Sequence, residues 1–138
     1  MDPLRVLIVD DEEELVSALV ERLCLRGFLA RGVTTGSQAL AHLEDEPCDV
    51  VVLDVKMPGL GGLEVIKTIK ARRPELEVIL LTGHSSEHSE AEGMKAGACE
   101  YLMKPLKIDD LIGVLRSAGS RIAHRNPSAR RQQGGGEE

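Results

Sequence analysis

Acidic residues stand directly after two strand-like runs, and their types and positions could support metal-dependent phosphate chemistry. Asp10 and Asp11 follow the run from Leu4 to Val9, and Asp54 follows a second apolar run. Two adjacent carboxylates raise each other's pKa unless a cation joins them. Mg²⁺ is such a cation, because it prefers one or two carboxylates together with waters and phosphate oxygens. Three carboxylates at neighbouring strand ends would therefore suit Mg²⁺.

Hydrogen-bond donors follow two further strand-like runs. Thr82 and Gly83 come after the fourth run, and Lys104 and Pro105 come after the fifth. A hydroxyl and an ammonium are donors suited to phosphate. Taken alone, each of these residues, like Asp54, has an ordinary interpretation as a helix cap or a surface turn. Their joint placement favours chemistry, because Mg²⁺ would balance the net negative charge of three carboxylates and one ammonium.

The strand-like runs are predicted to form a single sheet. Three of them are rich in β-branched residues and lack polar alternation, which is typical of strands buried on both faces. The other two are weaker and are predicted to be edge strands. The buried runs cover residues 4–9, 49–53 and 77–81, and the edge runs cover 28–33 and 99–103. A helical stretch follows each run, so the chain predicts an α/β fold: five parallel strands with helices on both faces.

Each predicted helix has apolar residues at helical spacing or recognisable boundary signals. Gly27 follows the first helix, whose opening acids Glu12 to Glu14 suit the N-terminal end of its dipole. Thr35 to Gln38 resembles a capping box. The fourth helix, residues 85–96, contains Gly93 and few apolar residues, so we expect it to be marginal and mobile. The apolar positions of the other helices are Leu15, Leu19 and Leu23; Leu40 and Leu43; Leu63, Ile66 and Ile69; and Ile108, Leu111, Ile112, Leu115, Ala118 and Ile122.

Length and composition limit the class of protein. A chain of 138 residues with 42% hydrophobic and 29% charged residues fits one globular domain. Neither a secretory signal nor an apolar run approaching the roughly 20 residues of a membrane-spanning helix is evident, so we expect a cytoplasmic chain with no membrane contact. Cys24, Cys48 and Cys99 are widely spaced among apolar residues, and we predict core thiols rather than a disulfide framework.

Charge is distributed unevenly along the chain. Residues 1–120 carry 13 basic and 21 acidic groups, whereas residues 121–138 carry four arginines and two glutamates. An acidic body repels phosphates, so we expect no direct nucleic-acid binding by this chain. Residues 126–138 have almost nothing to bury and are predicted to be a flexible C-terminal tail or a linker stub. The folded domain is expected over residues 1–120, with its last helix extending as far as about residue 125.

Four motifs at the strand ends can be compared as a set. They are Val9-Asp10-Asp11-Glu12, Leu53-Asp54-Val55-Lys56-Met57-Pro58-Gly59, Leu81-Thr82-Gly83 and Tyr101-Leu102-Met103-Lys104-Pro105. In order and spacing, over residues 4–120, the chain resembles the receiver domain of bacterial two-component response regulators. This resemblance implies a flavodoxin-like, doubly wound sheet with strand order 2-1-3-4-5.

The resemblance also implies a role for each residue at the strand ends. Asp54 would accept a phosphoryl group from the phosphohistidine of a sensor histidine kinase or histidine phosphotransfer protein. Asp10, Asp11, Asp54 and the backbone carbonyl of Lys56 would hold Mg²⁺. Lys104 would pair with a phosphoryl oxygen. Such a domain catalyses its own phosphorylation and dephosphorylation, and it is a signalling switch rather than a turnover enzyme.

A conformational signal is implied as well. The Thr82 hydroxyl would move to another phosphoryl oxygen, and Tyr101 would turn inward, although an aromatic residue on a strand is also commonly plain core packing. The face made by the fourth helix, the fifth strand and the fifth helix would then change, altering binding of an output partner or of a second copy. Lys56 and His84 stand at positions that affect the lifetime of the phosphate. The bond between Lys104 and Pro105 is expected to be cis.

Other classes fit these residues less well. A haloacid dehalogenase-like phosphatase needs an acid two residues after its nucleophile, where this chain has Lys56. A dinucleotide-binding protein needs a glycine-rich turn where Asp10-Asp11-Glu12 stands. His84 and His88 could chelate a metal on a helix, but no third ligand is evident.

The resemblance leaves the setting of the domain open. A degenerate receiver that only binds partners would usually have lost Asp54, Asp11 or Lys104, and all three are present. A stand-alone receiver, a phosphorelay shuttle and the receiver piece of a longer transcription regulator all fit. Where the family often has an Asp opening the third helix, this chain has Leu60-Gly61-Gly62-Leu63, so we expect a looser loop there.

Overall fold

Strands and helices alternate five times along the chain. The computed structural model describes residues 3–56, 61–83 and 87–125. The strands are β1 (Arg5–Val9), β2 (Leu29–Val33), β3 (Val50–Asp54), β4 (Glu77–Thr82) and β5 (Glu100–Met103). The helices are α1 (Glu13–Leu25), α2 (Gly36–Asp45), α3 (Gly62–Arg72), α4 (Glu87–Ala96) and α5 (Ile108–Arg125). Within the described ranges, no helix is long and apolar enough to cross a membrane.

The five strands form one parallel sheet in the order β2-β1-β3-β4-β5. This confirms the predicted α/β fold and places the two weaker strands, β2 and β5, at the edges. The order reverses between β1 and β3, where Val9 pairs with Leu53. On the other side of β3, Asp54 pairs with Leu81. The carboxyl ends of the three central strands therefore lie side by side, which is where ligands bind in sheets of this kind.

Alternating strand residues supply two cores, one on each face of the sheet. On one face, Ile8 and Val52 pack with residues of α1 and α5 such as Leu19 and Leu115. On the other face, the core includes residues of α2 and α3; its members from the strands and these helices are Leu7, Val9, Val51, Leu53, Val78, Leu80, Ala39, Leu43, Val65, Ile66 and Ile69. Burial on both faces explains why the central strands are continuous apolar runs.

The cysteines differ from the prediction at one position. Cys48 is buried and Cys99 is half-buried, and burial raises the pKa of each thiol to about 11. Cys24, however, is exposed. It follows Leu23, which completes the buried stripe of α1, and one step along a helix turns a side chain by about 100° away from that stripe. The expectation that all three cysteines are core residues is therefore wrong for Cys24.

The capping box before α2 forms only in part. Thr35 Oγ1 accepts a hydrogen bond from the backbone N–H of Gln38 at 3.1 Å, as predicted. The Gln38 side chain, however, accepts from the backbone N–H of Thr34 at 2.9 Å rather than from that of Thr35. At the end of α1, Gly27 has a φ of 95°, a left-handed conformation that glycine adopts without strain.

Helix α4 contains a glycine at its point of contact with the sheet. A Cβ atom at Gly93 would lie 2.1 Å from Leu80 Cδ1, far inside van der Waals contact. Gly93 is itself buried, whereas Met94 beside it is 41% exposed. The glycine that weakens this helix therefore also lets it approach β4 closely.

Two arginines near the end of α5 bind the base of the sheet. Arg121 Nε lies 3.0 Å from Oε1 of the buried Glu77, and Arg125 pairs with its other carboxylate oxygen. Arg125 also donates to the backbone carbonyl of Glu75 at 2.8 Å. Burial raises the pKa of Glu77, but the bonds from Arg125 and Arg121 outweigh it and hold the pKa below its usual value.

Candidate functional site

Two acidic residues are held by the backbone at the carboxyl ends of β1 and β3. Asp10 directly follows β1 and is fully buried, and Asp54 is the last residue of β3 and is buried as well. Asp10 Oδ1 accepts the backbone N–H of Glu12 at 3.0 Å. Asp54 Oδ1 accepts the backbone N–H of Lys56 at 3.2 Å. Each carboxylate is therefore oriented by the turn that leaves its own strand.

Asp11 completes an acidic cluster with these two residues. Asp10, Asp11 and Asp54 each offer a carboxylate oxygen, and these atoms all lie within 4.8 Å of one another. Asp11 is exposed, so the cluster opens to solvent on one side. The sequence predicts this grouping correctly, because β1 and β3 are neighbours in the sheet.

Lys104 is the cation that faces this cluster. Its Nζ lies 2.7 Å from Asp10 Oδ2, 3.6 Å from Asp54 Oδ2 and 2.9 Å from Glu12 Oε1. The contact with Asp10 Oδ2 is an ion pair, and that buried oxygen has no hydrogen bond of good geometry within the described part of the chain. A single ammonium is thus shared among three carboxylates.

The electrostatics of the cluster follow from burial and from this sharing. Burial and the neighbouring Asp10 raise the pKa of Asp54, although Lys104 and the Lys56 N–H oppose the change. Burial lowers the pKa of Lys104, but Asp10 and Glu12 outweigh it, so the pKa of this ammonium is raised and it remains charged. Among the described residues, the Lys104 ammonium alone contacts this cluster, and one positive charge does not balance its three carboxylates.

The cluster fits a divalent cation by its donor chemistry. Three carboxylates converge, one buried oxygen lacks a well-formed hydrogen bond, and burial together with repulsion by Asp10 raises the pKa of Asp54. Oxygen ligands of this kind are those that Mg²⁺ prefers.

Thr82 lies on β4, next to β3 in the sheet, and Tyr101 lies on β5, one strand further from the cluster. Thr82 is the buried last residue of β4, and its backbone carbonyl accepts the N–H of Lys104 at 2.8 Å. Tyr101 is 42% exposed on the edge strand β5, so in this structure it is not a core residue. The peptide bond between Lys104 and Pro105 is cis, in agreement with the expectation.

The family model for the response regulator receiver domain matches residues 6–116. The chain belongs to this family. Such receiver domains are signalling switches of two-component systems rather than conventional enzymes, and the motifs that carry the resemblance all lie within or beside the matched range.

Curated relatives and a solved structure agree with the family. The sensory transduction protein RegX3 of Mycobacterium tuberculosis is 39% identical over 112 residues, which cover 81% of this chain and 49% of the relative. Response regulator MprA of Mycolicibacterium vanbaalenii is 34% identical over 115 residues, 83% of this chain and 50% of that one. The chain thus spans about half the length of the curated relatives it matches. A CheY-like receiver domain from Methanospirillum hungatei JF-1 superposes with a TM-score of 0.86 at 27% identity, over 89% of this chain and 98% of that one.

The remaining predicted site residues are placed less completely. Lys56 is exposed, and its backbone N–H bonds to Asp54. His84 lies outside the described residues, as does the segment 57–60. Glu12 is the residue that sequence reasoning misplaced: its backbone opens α1, but its carboxylate contacts Lys104. That contact depends on how close the ends of β1 and β5 lie in space, which the sequence does not give.

Gly62, the first residue of α3, contacts the backbone that leaves β3. A Cβ atom at Gly62 would lie 2.6 Å from the backbone oxygen of Val55 and 2.8 Å from that of Asp54. The Gly62 N–H donates to the Val55 carbonyl at 3.1 Å. Helix α3 does begin without a side-chain cap, as the glycines predict. Its first turn is nevertheless in direct contact with the residue after Asp54.

Proposed function

We propose that this receiver domain is a phosphorylation-dependent switch in which Asp54 accepts a phosphoryl group. The observation that carries the proposal is the juxtaposition of a buried strand-end carboxylate with two further acids and one shared ammonium. A carboxylate oxygen of Asp54 would attack phosphorus while the bond to the donor breaks, forming an acyl phosphate. The donor would be the phosphohistidine of a sensor histidine kinase or of a histidine phosphotransfer protein.

The surrounding residues would have distinct tasks in this transfer. Asp10, Asp11, Asp54 and the backbone carbonyl of Lys56 would hold Mg²⁺. When bound, this ion would offset the negative charge of the transferring oxygens. The Lys104 ammonium would pair with a phosphoryl oxygen. The contact between Lys104 Nζ and Asp54 Oδ2, at 3.6 Å, supports this role because it already places the ammonium beside the attacking group.

The output would be a change of the face formed by α4, β5 and α5. Thr82 would donate its hydroxyl to a phosphoryl oxygen, and Tyr101, now exposed, would turn inward. Because we expect α4 to have few buried contacts, its displacement would require little free energy. The partner would be an output protein or domain, or a second phosphorylated copy; the body of this chain is too acidic to bind nucleic acid directly.

Intact mass after incubation with Mg²⁺ and acetyl phosphate tests the proposal. We expect the parent chain to gain the mass of one phosphoryl group. Asp54→Asn should gain none, because the amide cannot form the acyl phosphate. Asp45→Asn, which removes an exposed acid of α2, is the matched control and should label like the parent. Full labelling of Asp54→Asn at another residue would contradict the assignment.

Thermal unfolding tests the metal site independently of phosphorylation. The midpoint should rise with Mg²⁺ concentration, because binding to the native state alone stabilises it. Asp11→Ala should reduce this rise, whereas Asp45→Ala should leave it unchanged. An equal rise in Asp11→Ala would remove Asp11 from the ligand set.

Amide hydrogen exchange tests the output face. Phosphorylation should change exchange in residues 87–118, which include α4 and β5, more than in α2. No change there, with phosphorylation verified by mass, would favour a phosphotransfer shuttle over a switch that rearranges its own surface.

A further inference from the structure

Glu12 has an acidic side chain that its own helix does not use. It occupies the N-cap position of α1, yet its side chain makes no capping hydrogen bond. The carboxylate instead extends toward the end of β5, where Oε1 lies 2.9 Å from Lys104 Nζ. Glu13 and Glu14 already supply acids to the first turn of α1, so the helix dipole does not require Glu12 as well.

The ion pair between Glu12 and Lys104 joins an exposed side chain to a mostly buried one. The Lys104 side chain is only 19% exposed, whereas that of Glu12 is 62% exposed. The other acids in contact with Lys104 are Asp10 and Asp54, which belong to the proposed metal and phosphoryl site. Binding of a cation by those two residues would leave Glu12 as the one remaining anionic partner of Lys104 among the residues that the structure describes.

We propose that Glu12 is a positioning residue that holds the Lys104 ammonium before phosphorylation and competes with the incoming phosphoryl group for it. This inference rests on the proposed function, because it assigns a regulation of the same site. For Lys104 to pair with a phosphoryl oxygen, its bond to Glu12 must weaken or break. Glu12 would therefore slow phosphorylation without touching the reacting atoms.

The expected effect is small and measurable. Ion pairs with one exposed partner are weak, so removal of Glu12 should raise the phosphorylation rate by about two- to five-fold. The neighbouring glutamates provide a control for charge alone, since Glu13→Gln removes the same charge one residue further along and Glu13 is exposed. Simple repulsion of an anionic donor would make the two variants alike.

The test uses the full chain, Mg²⁺ and subsaturating acetyl phosphate, with rates followed by intact mass. Glu12→Gln should label about two- to five-fold faster than the parent, and Glu13→Gln should label at nearly the parent rate. Glu12→Asp keeps the charge but shortens the side chain, so it should also label faster. Equal rates in Glu12→Gln and Glu13→Gln, or a parent-like rate in Glu12→Asp, would overturn the proposal.

A double-mutant cycle separates pairing with Lys104 from a structural effect. In a Lys104→Gln background, which labels more slowly, the further change Glu12→Gln should give no acceleration beyond that of Glu13→Gln. An undiminished acceleration in that background would show that Glu12 does not act through Lys104. If the parent chain itself failed to label, the proposed function would fail; if the parent labels and only the Glu12 effects are absent, this inference alone fails.

Discussion

Asp54 is held in an environment that disfavours its charge. Burial and the nearby Asp10 raise its pKa, and Lys104 compensates only in part because it is shared with Asp10 and Glu12. A carboxyl group whose pKa is higher in the folded than in the unfolded state destabilises the fold once it ionises. Asp54, the residue proposed to accept the phosphoryl group, therefore lowers the free energy of unfolding. Its proposed function comes at a cost in stability.

Asp54→Asn should raise the thermal midpoint in metal-free buffer at pH 7. The folded state binds the Asp54 proton more tightly than the unfolded state, so stability falls as pH rises through the window above the ordinary aspartate pKa, about 3.9. The gain from Asp54→Asn should thus shrink at acidic pH, where the native carboxyl is already neutral. Thermal scans between acidic and neutral pH, with Asp45→Asn as control, measure this. A lower midpoint for Asp54→Asn at pH 7 would contradict it.

Lys56 is expected to prolong the life of the acyl phosphate. Its exposed ammonium-tipped chain could cover the phosphoryl group on Asp54 and pair with its charge, so that attacking water is excluded. Phosphate loss, followed by intact mass after removal of the donor, should be faster in Lys56→Ala. Lys67→Ala, which truncates an exposed lysine of α3, should decay like the parent. Equal decay in both variants would make Lys56 an ordinary surface lysine.

The acidic cluster and the approach of Lys104 to it could be predicted from sequence, but the contact of Lys104 with Glu12 could not. The grouping of Asp10, Asp11 and Asp54 follows from two strand ends that the fold class makes neighbours. The link between Glu12 and Lys104 joins residues 92 positions apart through side-chain conformations that no local pattern encodes. An acidic residue before a helix is usually interpreted as favouring the positive end of the helix dipole. The sequence therefore predicted that Glu12 interacts with α1 rather than with Lys104.

At the scale of elements, the first turn of α3 packs directly against the backbone of the last residue of β3 and the residue after it. Gly62 brings the first turn of α3 against the backbone of Val55, with no room for a methyl group. The preceding residue, Gly61, would place a Cβ in open space. Two adjacent glycines thus have different structural roles, and the sequence, in which they look alike, predicted only a loose loop.

Gly62→Ala should destabilise the fold by about 1–3 kcal/mol, the usual cost of forcing a methylene group into a packed site. It should also slow phosphorylation, because the clash is with the backbone of Val55 and Asp54, which cannot move without moving the carboxylate. Urea unfolding and labelling by acetyl phosphate measure the two effects. Gly61→Ala is the matched control, and a similar loss in both variants would point to helix capping rather than to the contact with Val55.

Elements with strong periodicity could be predicted closely, and their boundaries less so. The buried faces of α1, α3 and α5 include most of the predicted apolar positions, although Leu15 and Leu63 are only partly buried. The structure shifts the starts of β1, β2, β3 and β5 by one residue and ends β3 and β4 one residue later. The reason that Gly93 lies within α4 could not be read from the chain, because it depends on Leu80, a residue of another element.

At the scale of the whole molecule, the contacts between Glu77 and α5 indicate where the folded unit ends. Arg121 and Arg125 both bind this buried carboxylate, so the last turns of α5 are part of the domain. We propose that the folded unit ends near Arg125, the longer of the two predicted extents.

A chain ending after Arg125 should unfold in urea like the full chain, because residues 126–138 offer little to bury. A chain ending after Ser120 should lose about 1–3 kcal/mol, since Glu77 would lose both arginine partners, which are themselves partly exposed. The pKa of Glu77 is depressed in the folded state. The stability that its ion pairs contribute is therefore present at neutral pH and is lost as the pH falls below the ordinary glutamate pKa, about 4.3. The difference between the two chains should therefore shrink at low pH to the part that comes from Ile122, which packs against the core. A constant difference would assign the loss to helix length alone.

The close approach of Gly93 to Leu80 gives the molecule a built-in spectroscopic reporter. Leu80 Cδ1 occupies the space that a side chain at Gly93 would fill, so this methyl group registers any shift of α4 relative to the sheet. Leu7 is equally buried in the same core but lies on β1, away from that contact. In a chain with isotope-labelled leucine methyls, the Leu80 resonance should move when the acyl phosphate forms, while Leu7 serves as the internal reference. The motion of a helix could thus be followed without attaching any probe to its surface.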